Sequence, residues 1–190
     1  MSGSTIHVHG PHDHELEHAA HSGDRFAGRL AVLTAIFATL GAMMGYMAGA
    51  TQNAALLFKN DAAIKKTEAS DQWNFYQAKS NKQNLAELGA TLTTGEQADK
   101  YKAEAKRYSD EKGAIMKDAK TLEEQAKTAE AKSDASMHVH HRWAQAMTLI
   151  QIAIALAAIT LLTRNQPLKY VSYAVGAASV GLGALALMHI

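Results

Sequence analysis

Three long apolar runs are separated by polar sequence along this chain. They cover residues 30–50, 144–163 and 170–188, and none of them contains Asp, Glu, Lys or Arg. Each is about 20 residues long, which is the length of α-helix that crosses a lipid bilayer. The pattern predicts transmembrane helices over 26–50, 143–163 and 170–188, with a polar leader over 1–25.

The polar block over 51–142 lies between the first two apolar runs and holds most of the Lys, Asp and Glu residues. It contains no proline, and its turn signals fall at 89–95, where two glycines flank a threonine-rich stretch. Thr93 with Glu96 and Thr94 with Gln97 have capping-box spacing, so we expect a second helix to begin here. The sequence predicts an all-α membrane protein with three transmembrane helices and a long antiparallel helical hairpin, a coiled-coil stalk, between the first and second.

Heptad repeats mark the helices of this block. In the second arm, two rows recur every seven residues, as in a coiled-coil seam. One row is Tyr101, Tyr108, Ile115, Leu122 and Ala129, and the other, interrupted by Lys112, is Ala98, Ala105, Ala119, Ala126 and Ser133. The first arm has a weaker row, interrupted by Asp71: Leu57, Ile64, Ala78, Leu85 and Leu92. A thin, alanine-rich hairpin buries little apolar area, so we expect it to pack against copies of itself.

An aromatic patch stands out on the first arm. Its members share one helix face at i, i+3, i+4 and i+7 spacing. They are Trp73, Tyr76, Gln77 and Ser80. Aromatic rings with a polar edge are typical of interfaces, so the patch is interpreted as packing surface within the hairpin or between subunits, or as a binding site for a protein partner.

Small residues recur within the apolar runs. Gly41, Gly45 and Gly49 lie four residues apart on one face of the first span. In the third span, Gly176, Ser179 and Gly183 form a similar set. Such residues let helix backbones approach closely in membranes, whether within one subunit or between subunits. Gln151 is the main polar group of the second span, and we expect it to support helix association or to line a pore.

Histidines are concentrated outside the apolar runs. Six lie in the leader among acidic residues: His7, His9, His12, His14, His18 and His21. Imidazoles interleaved with carboxylates are ligands for divalent metals, so the leader is a candidate metal site or a solvated tail. His138, His140 and His141 form a weaker candidate at the start of the second span. Beyond this metal, no cofactor is expected.

The segment from His14 to His18 matches the zinc-protease pattern H-E-x-x-H, with Glu15 as the base. A protease also needs a cleft and a third ligand, which a short leader before a membrane span does not provide. The net charge of +1 gives no basic excess for nucleic acid, and the absence of cysteine rules out disulfides and Cys-ligated metals. We therefore predict no enzymatic activity.

The order of one span, a helical insert and two spans is similar to that of a bacterial family, the domain of unknown function numbered four-three-three-seven. The likeness is carried by Trp73, the run Tyr76-Gln77-Ala78-Lys79-Ser80, and Lys82. It implies a bacterial membrane protein with three spans, and it implies no activity, cofactor or catalytic residue.

Sidedness follows from the short basic loop between the second and third runs. Arg164 and Lys169 lie in this loop, so the positive-inside rule predicts that it is cytoplasmic. The leader is then cytoplasmic, and the stalk lies outside the bacterial inner membrane. Lysines on the stalk side favour the opposite orientation, but the positive-inside rule gives little weight to charges in long domains.

Two main functions remain open from the sequence. The leading hypothesis is a homo-oligomeric integral membrane protein that acts as a structural, scaffold or partner-binding assembly. The alternative is an oligomeric channel or a divalent-metal transporter, and a membrane-anchored zinc protease is a third, weaker hypothesis.

Overall fold

The computed structural model describes residues 25–188, and these residues form three α-helices. They are α1 (Arg25–Leu92), α2 (Glu96–Thr163) and α3 (Gln166–Leu187). No strand occurs in this described range, so the prediction of an all-α chain is confirmed. Each helix has a stretch long and apolar enough to cross a membrane, by length and composition. The leader histidines, Glu15 and His189 lie outside the described residues.

The connection between α1 and α2 is shorter than the sequence predicts. Helix α1 continues through Gly89 and ends at Leu92, which leaves only 93–95 between the two helices. The Thr93 hydroxyl donates to the Gly89 carbonyl at 2.7 Å, so it satisfies the end of α1 rather than capping the start of α2. Gly95 has φ of +65°, a conformation that glycine adopts without strain, and its carbonyl accepts from Asp99 N–H at 3.2 Å.

The second connection is made by Arg164 and Asn165. Arg164 has φ of +51°, and Asn165 precedes the first turn of α3 in an extended conformation. Pro167 lies in that first turn, where its missing N–H costs nothing and its fixed φ favours a helix. The proline therefore favours the start of α3 at this point.

The chain divides into two compact units: Met1–Thr51 with His138–Ile190, and Gln52–Met137. We call the described part of the first, residues 25–51 and 138–188, the apolar unit. The second, residues 52–137, is the polar unit. Helices α1 and α2 each contribute a segment to both units.

The apolar unit packs segments of all three helices around a core with many small residues. Ala146, Ile150, Ala153 and Ala157 of α2 are fully buried. Phe37 and Met44 of α1 and Ala186 of α3 belong to the same buried cluster as Trp143. Alanines at the contact allow helices to approach closely, and many large aliphatic side chains lie on the outside.

The polar unit pairs a segment of α1 with a segment of α2 through small side chains. The Ser133 hydroxyl donates to the Ala55 carbonyl at 2.9 Å, a contact that requires the two backbones to be close. Within this unit, the buried alanines of the α1 segment are Ala55, Ala62, Ala69 and Ala86, and those of the α2 segment are Ala98, Ala105, Ala119, Ala126 and Ala129. Contacts join residue 55 to 133, 73 to 123 and 89 to 101, so the segments pair in opposite chain order.

Gly176 provides a test of the close packing in the apolar unit. A Cβ atom at this position would lie 2.2 Å from Cζ of Phe37. We expect Gly176→Ala to destabilise the protein by about 1–3 kcal/mol, because the ring must move within a packed core. The measurement is thermal unfolding of the detergent-solubilised protein, followed by circular dichroism.

The matched control is Gly181→Ala, because a Cβ at Gly181 meets no atom within 4 Å. Phe37→Leu should partly restore the stability of Gly176→Ala by making room for the new methyl group. Equal unfolding temperatures for the two alanine variants would contradict this account of the packing.

Candidate functional site

The glycines of the first span have different surroundings. A Cβ at Gly41 would lie 3.1 Å from Ile150, and one at Gly45 would lie 3.3 Å from the sulfur of Met147. Both glycines therefore face α2 of the same chain. A Cβ at Gly49 would meet nothing within 4 Å. Two of the three glycines, Gly41 and Gly45, therefore contact another helix of the same chain, whereas Gly49 contacts none at the position of a Cβ.

The small residues of the third span also face their own chain. The Ser179 hydroxyl donates to the Ala146 carbonyl at 2.7 Å, and the Ser172 hydroxyl donates to the Ala153 carbonyl at 2.9 Å. Both serines are fully buried. Gly176 faces Phe37, and Gly183 faces Met44 and Trp143. Buried hydroxyls that bond across helices hold α3 against α2.

Gln151 lies on the outside of the apolar unit, which its position in the sequence did not indicate. It lies in the middle of the second apolar run, yet its side chain is exposed on the surface of the apolar unit. In hydrocarbon, an amide without a hydrogen-bond partner costs free energy.

The three histidines near the start of the second span are not arranged as a metal site. Nδ1 of His140 lies 2.9 Å from the Ala48 carbonyl, and the rings of His140 and His141 have centroids 5.5 Å apart. His138 and His141 are exposed. Among residues 25–188, no three His, Asp or Glu side chains are close enough to hold a metal ion together.

The aromatic patch of the polar unit contacts the opposite helix. Trp73 Nε1–H donates to Glu123 Oε1 at 2.8 Å, and the rings of Trp73 and Tyr76 meet edge to face at 5.6 Å. The Lys112 ammonium lies 5.3 Å from the centre of the Tyr76 ring. Ser80 is half-buried, whereas Gln77 is exposed. A surface cleft of about 570 Å³, lined by Trp73, Gln77 and Glu123 among others, lies beside this contact.

The second-arm rows predicted from heptad spacing lie at the contact with α1 or beside it. Ile115 is buried, and Leu122, Tyr101 and Tyr108 are half-buried. The Tyr101 ring lies against Gly89, where a Cβ would be 3.1 Å from the ring. The four alanines and Ser133 of the other row are all buried, and Lys112, which interrupts that row, is half-buried.

The first-arm row is oriented differently from the prediction. Its large members are exposed, whereas the contact with α2 is made by the alanine row of Ala55, Ala62, Ala69 and Ala86. We call the exposed row the outer stripe; its members and exposed fractions are Leu57 (70%), Ile64 (48%), Leu85 (67%) and Leu92 (75%). Ala55, Ala62 and Ala69 have seven-residue spacing, a pattern in the sequence that marks the buried face, whereas Ala86 departs from that spacing.

Ion pairs link the two helices of the polar unit. Glu130 accepts from Lys59 Nζ at 3.0 Å and from Lys66 Nζ at 3.1 Å. These two hydrogen bonds hold the pKa of Glu130 below its ordinary value of 4.5, and the bond from Lys59 has the larger effect. Similarly, an ion pair with Lys79 lowers the pKa of Glu111.

A model of the family described as Domain of unknown function (DUF4337) matches residues 26–189, which is most of the chain. The chain belongs to this family. The resemblance carried by Trp73 and the following residues is therefore confirmed. Comparisons with curated proteins and with solved structures found no match. The match to the DUF4337 family includes nearly all of α1 and the whole of α2 and α3. It therefore covers the apolar unit and the polar unit of this chain.

The ion pairs of Glu130 predict an acid dependence of stability. Because its pKa is lower in the folded state, the stabilisation is fully present above the unfolded value of 4.5 and is lost as pH falls through the folded pKa. The urea concentration at half-unfolding should therefore fall less between about pH 7 and about pH 3 in Glu130→Gln than in the wild type. The difference should shrink at high salt, because the pair is partly exposed.

The control is Glu124→Gln, since Glu124 pairs at 2.9 Å with Lys127 on its own helix and does not join the two helices. An acid-induced drop as large in Glu130→Gln as in the wild type would contradict the linkage.

Proposed function

We propose that this protein is a homo-oligomeric integral membrane protein without enzymatic activity. In this proposal the apolar unit spans the membrane, and the polar unit forms a helical hairpin outside it that holds copies together. The assembly acts as a scaffold and can present the Trp73 cleft to a protein partner. The observation that carries the proposal is the outer stripe, which the helix pairing within one chain leaves uncovered.

Membrane insertion is supported by which residues face outward in the apolar unit. Its surface carries many large aliphatic side chains, whereas alanine, serine and threonine occupy much of the interior. In water, so much contiguous apolar surface would favour aggregation, but in lipid it faces a matching solvent. The exposed aliphatic residues include Val32, Ile36, Ile152, Ile159, Leu162, Val171 and Val180.

Self-association is supported by the chemistry of the outer stripe. Its four large side chains are between 48% and 75% exposed. Asp71 interrupts the row, so it consists of two apolar patches, one with Leu57 and Ile64 and the other with Leu85 and Leu92. Apolar residues at heptad spacing on a helix that already has one partner are suited to another helix in coiled-coil geometry.

A second copy of the chain is the occupant that the membrane favours. All copies inserted in one membrane have the same orientation, and in this proposal their stripes pair in parallel and in register. The Leu57 layer of one copy can then meet the Leu57 layer of the next around a common axis. Such self-matching is what a closed symmetric oligomer requires.

Gln151 supports the same arrangement within the membrane. An exposed amide in a span is expensive in lipid, and an amide from a neighbouring copy can satisfy it. Hydrogen bonds of this kind contribute about 0.6–2 kcal/mol to helix association in membranes. Gln151 therefore supports association between copies independently of the outer stripe.

The membrane that we propose is the bacterial inner membrane, with the stalk outside the cytoplasm. Arg25 and Arg29 at the start of α1 lie beside Lys169 of α3. A cluster of cations at the ends of spans is typical of the cytoplasmic side. The polar unit leaves the membrane at the other end of the first span.

Substitutions in the outer stripe test the oligomer. Leu57→Glu should weaken self-association about 10–100-fold, because burial of one leucine contributes about 1.5–3 kcal/mol. The measurement is the mass of the protein in detergent across a range of concentrations, by sedimentation or mass photometry. Ile64→Glu should have the same effect.

The matched control is Leu56→Glu. Leu56 is also exposed, at 56%, but lies about 100° around the helix from Leu57. It should retain the wild-type mass. A wild-type protein that is monomeric at all concentrations, or equal effects at positions 56 and 57, would overturn the proposal.

A further inference from the structure

A basic cleft lies at one end of the apolar unit, where the first turns of α1 and α3 meet. Arg25 and Arg29 line it from α1, and Lys169 and Tyr173 line it from α3. Within each helix the two residues are four positions apart, so both members of each pair lie on the face that borders the cleft. The cleft has a volume of about 260 Å³.

The cations of this cleft have no carboxylate within the described part of their unit. Residues 25–51 and 138–188, the described part of this unit, contain neither Asp nor Glu. This differs from the polar unit, where lysines such as Lys59 and Lys79 are paired with glutamates. The Lys169 ammonium lies instead 4.7 Å from the centre of the Tyr170 ring and 5.9 Å from that of Phe26.

The remaining lining residues give the cleft an apolar wall. Phe26 and Leu30 complete the lining, and Leu30 is only 1% exposed. Tyr173 adds a hydroxyl on an aromatic ring that is 38% exposed. A ligand for this cleft therefore combines an anionic oxygen group with a hydrocarbon part. Guanidinium groups bind phosphate oxygens through paired hydrogen bonds, which makes phosphate the anion that two arginines match best.

We propose that this cleft binds the phosphate of an anionic membrane phospholipid, with Arg25, Arg29 and Lys169 as the charged ligands and Tyr173 as a hydrogen-bond donor. The inference rests on the proposed membrane insertion, because only then does the cleft lie at the depth of the headgroups. Phe26 and Leu30 then contact the glycerol and the first carbons of the acyl chains. Basic pockets between transmembrane helices on the cytoplasmic side are suited to such headgroups.

The bilayer is the favoured source of the phosphate because of where the cleft lies in the chain. Arg25 and Arg29 immediately precede the first apolar run, and Lys169 immediately precedes the third. These positions place the charges at the boundary between hydrocarbon and headgroups, where phospholipid phosphates are concentrated. A soluble phosphate has the same anionic oxygens, but it has no hydrocarbon part to contact the apolar wall.

Native mass spectrometry of the full-length protein in detergent tests this assignment. The protein is titrated with phosphatidylglycerol or with phosphatidylcholine carrying the same acyl chains. We expect the wild type to bind phosphatidylglycerol more tightly. Lys169→Gln, Arg25→Gln and Arg29→Gln should each weaken that binding about fivefold, the effect of removing about 1 kcal/mol of attraction. The triple variant should no longer distinguish the two lipids.

Arg142→Gln is the control of matched charge, because Arg142 belongs to the same unit but does not line the cleft. It should keep the wild-type preference, and Lys169→Arg should keep it as well. Equal losses in Arg142→Gln and Lys169→Gln would mean that net charge alone attracts the lipid, and the proposed site would be overturned.

Competition with inorganic phosphate separates the two sources of the anion. We expect millimolar phosphate to leave the bound phosphatidylglycerol in place, whereas displacement by phosphate would assign the cleft to a soluble ligand and overturn the lipid proposal. The same spectra give the number of subunits. A monomer that keeps its lipid preference contradicts the oligomer alone, and an oligomer without lipid preference contradicts the cleft alone.

Discussion

Close approach of helices through small side chains is the constraint on which both units depend. In the apolar unit, Gly176 leaves space for the ring of Phe37, and the Ser179 hydroxyl reaches a backbone carbonyl of α2. In the polar unit, Ser133 reaches the carbonyl of Ala55 in the same manner. Such contacts form only where backbones are near each other. Larger residues at these positions would separate the helices and break the hydrogen bonds.

This constraint determines where the large apolar residues lie. Since alanine, glycine and serine occupy most of the inner contacts, many leucine, isoleucine and valine side chains are exposed. On the apolar unit, this surface is suited to lipid. On the polar unit, the exposed large apolar side chains include those of the outer stripe, and their spacing is the basis of the proposed contact with a second copy. The proposed oligomer is therefore a consequence of how the single chain packs.

Hydrophobic patterning was sufficient to predict the helical class and the three apolar stretches, whereas the family was indicated by the resemblance carried by Trp73 and the residues that follow it. It was not sufficient to predict which heptad row of α1 faces α2. The pattern ranks Leu57 and Ile64 above Ala55 and Ala62 as core residues, because it measures hydrophobicity. Close packing instead selects the smaller side chains. Similarly, Thr93 has a hydroxyl suited to either helix end, and only the path of the chain decides which end it satisfies.

The basic cleft was beyond the reach of sequence patterns for a different reason. Arg25 and Lys169 are far apart in the chain, and each alone is an ordinary cation beside a span. Their juxtaposition depends on how α1 and α3 pack, which the small residues of α3 govern. The sequence did indicate that both lie at the ends of apolar runs, and this position is what connects them to phospholipid headgroups.

The most direct test of the assembly is disulfide crosslinking between copies in native membranes, which is straightforward because the chain has no cysteine. A disulfide forms only when two Cα atoms lie within about 7 Å of each other. Leu85→Cys, in the outer stripe, should give a covalent dimer upon mild oxidation. Ala62→Cys, in the buried alanine row, should remain monomeric. No dimer from Leu85→Cys, or as much dimer from Ala62→Cys, would contradict the account.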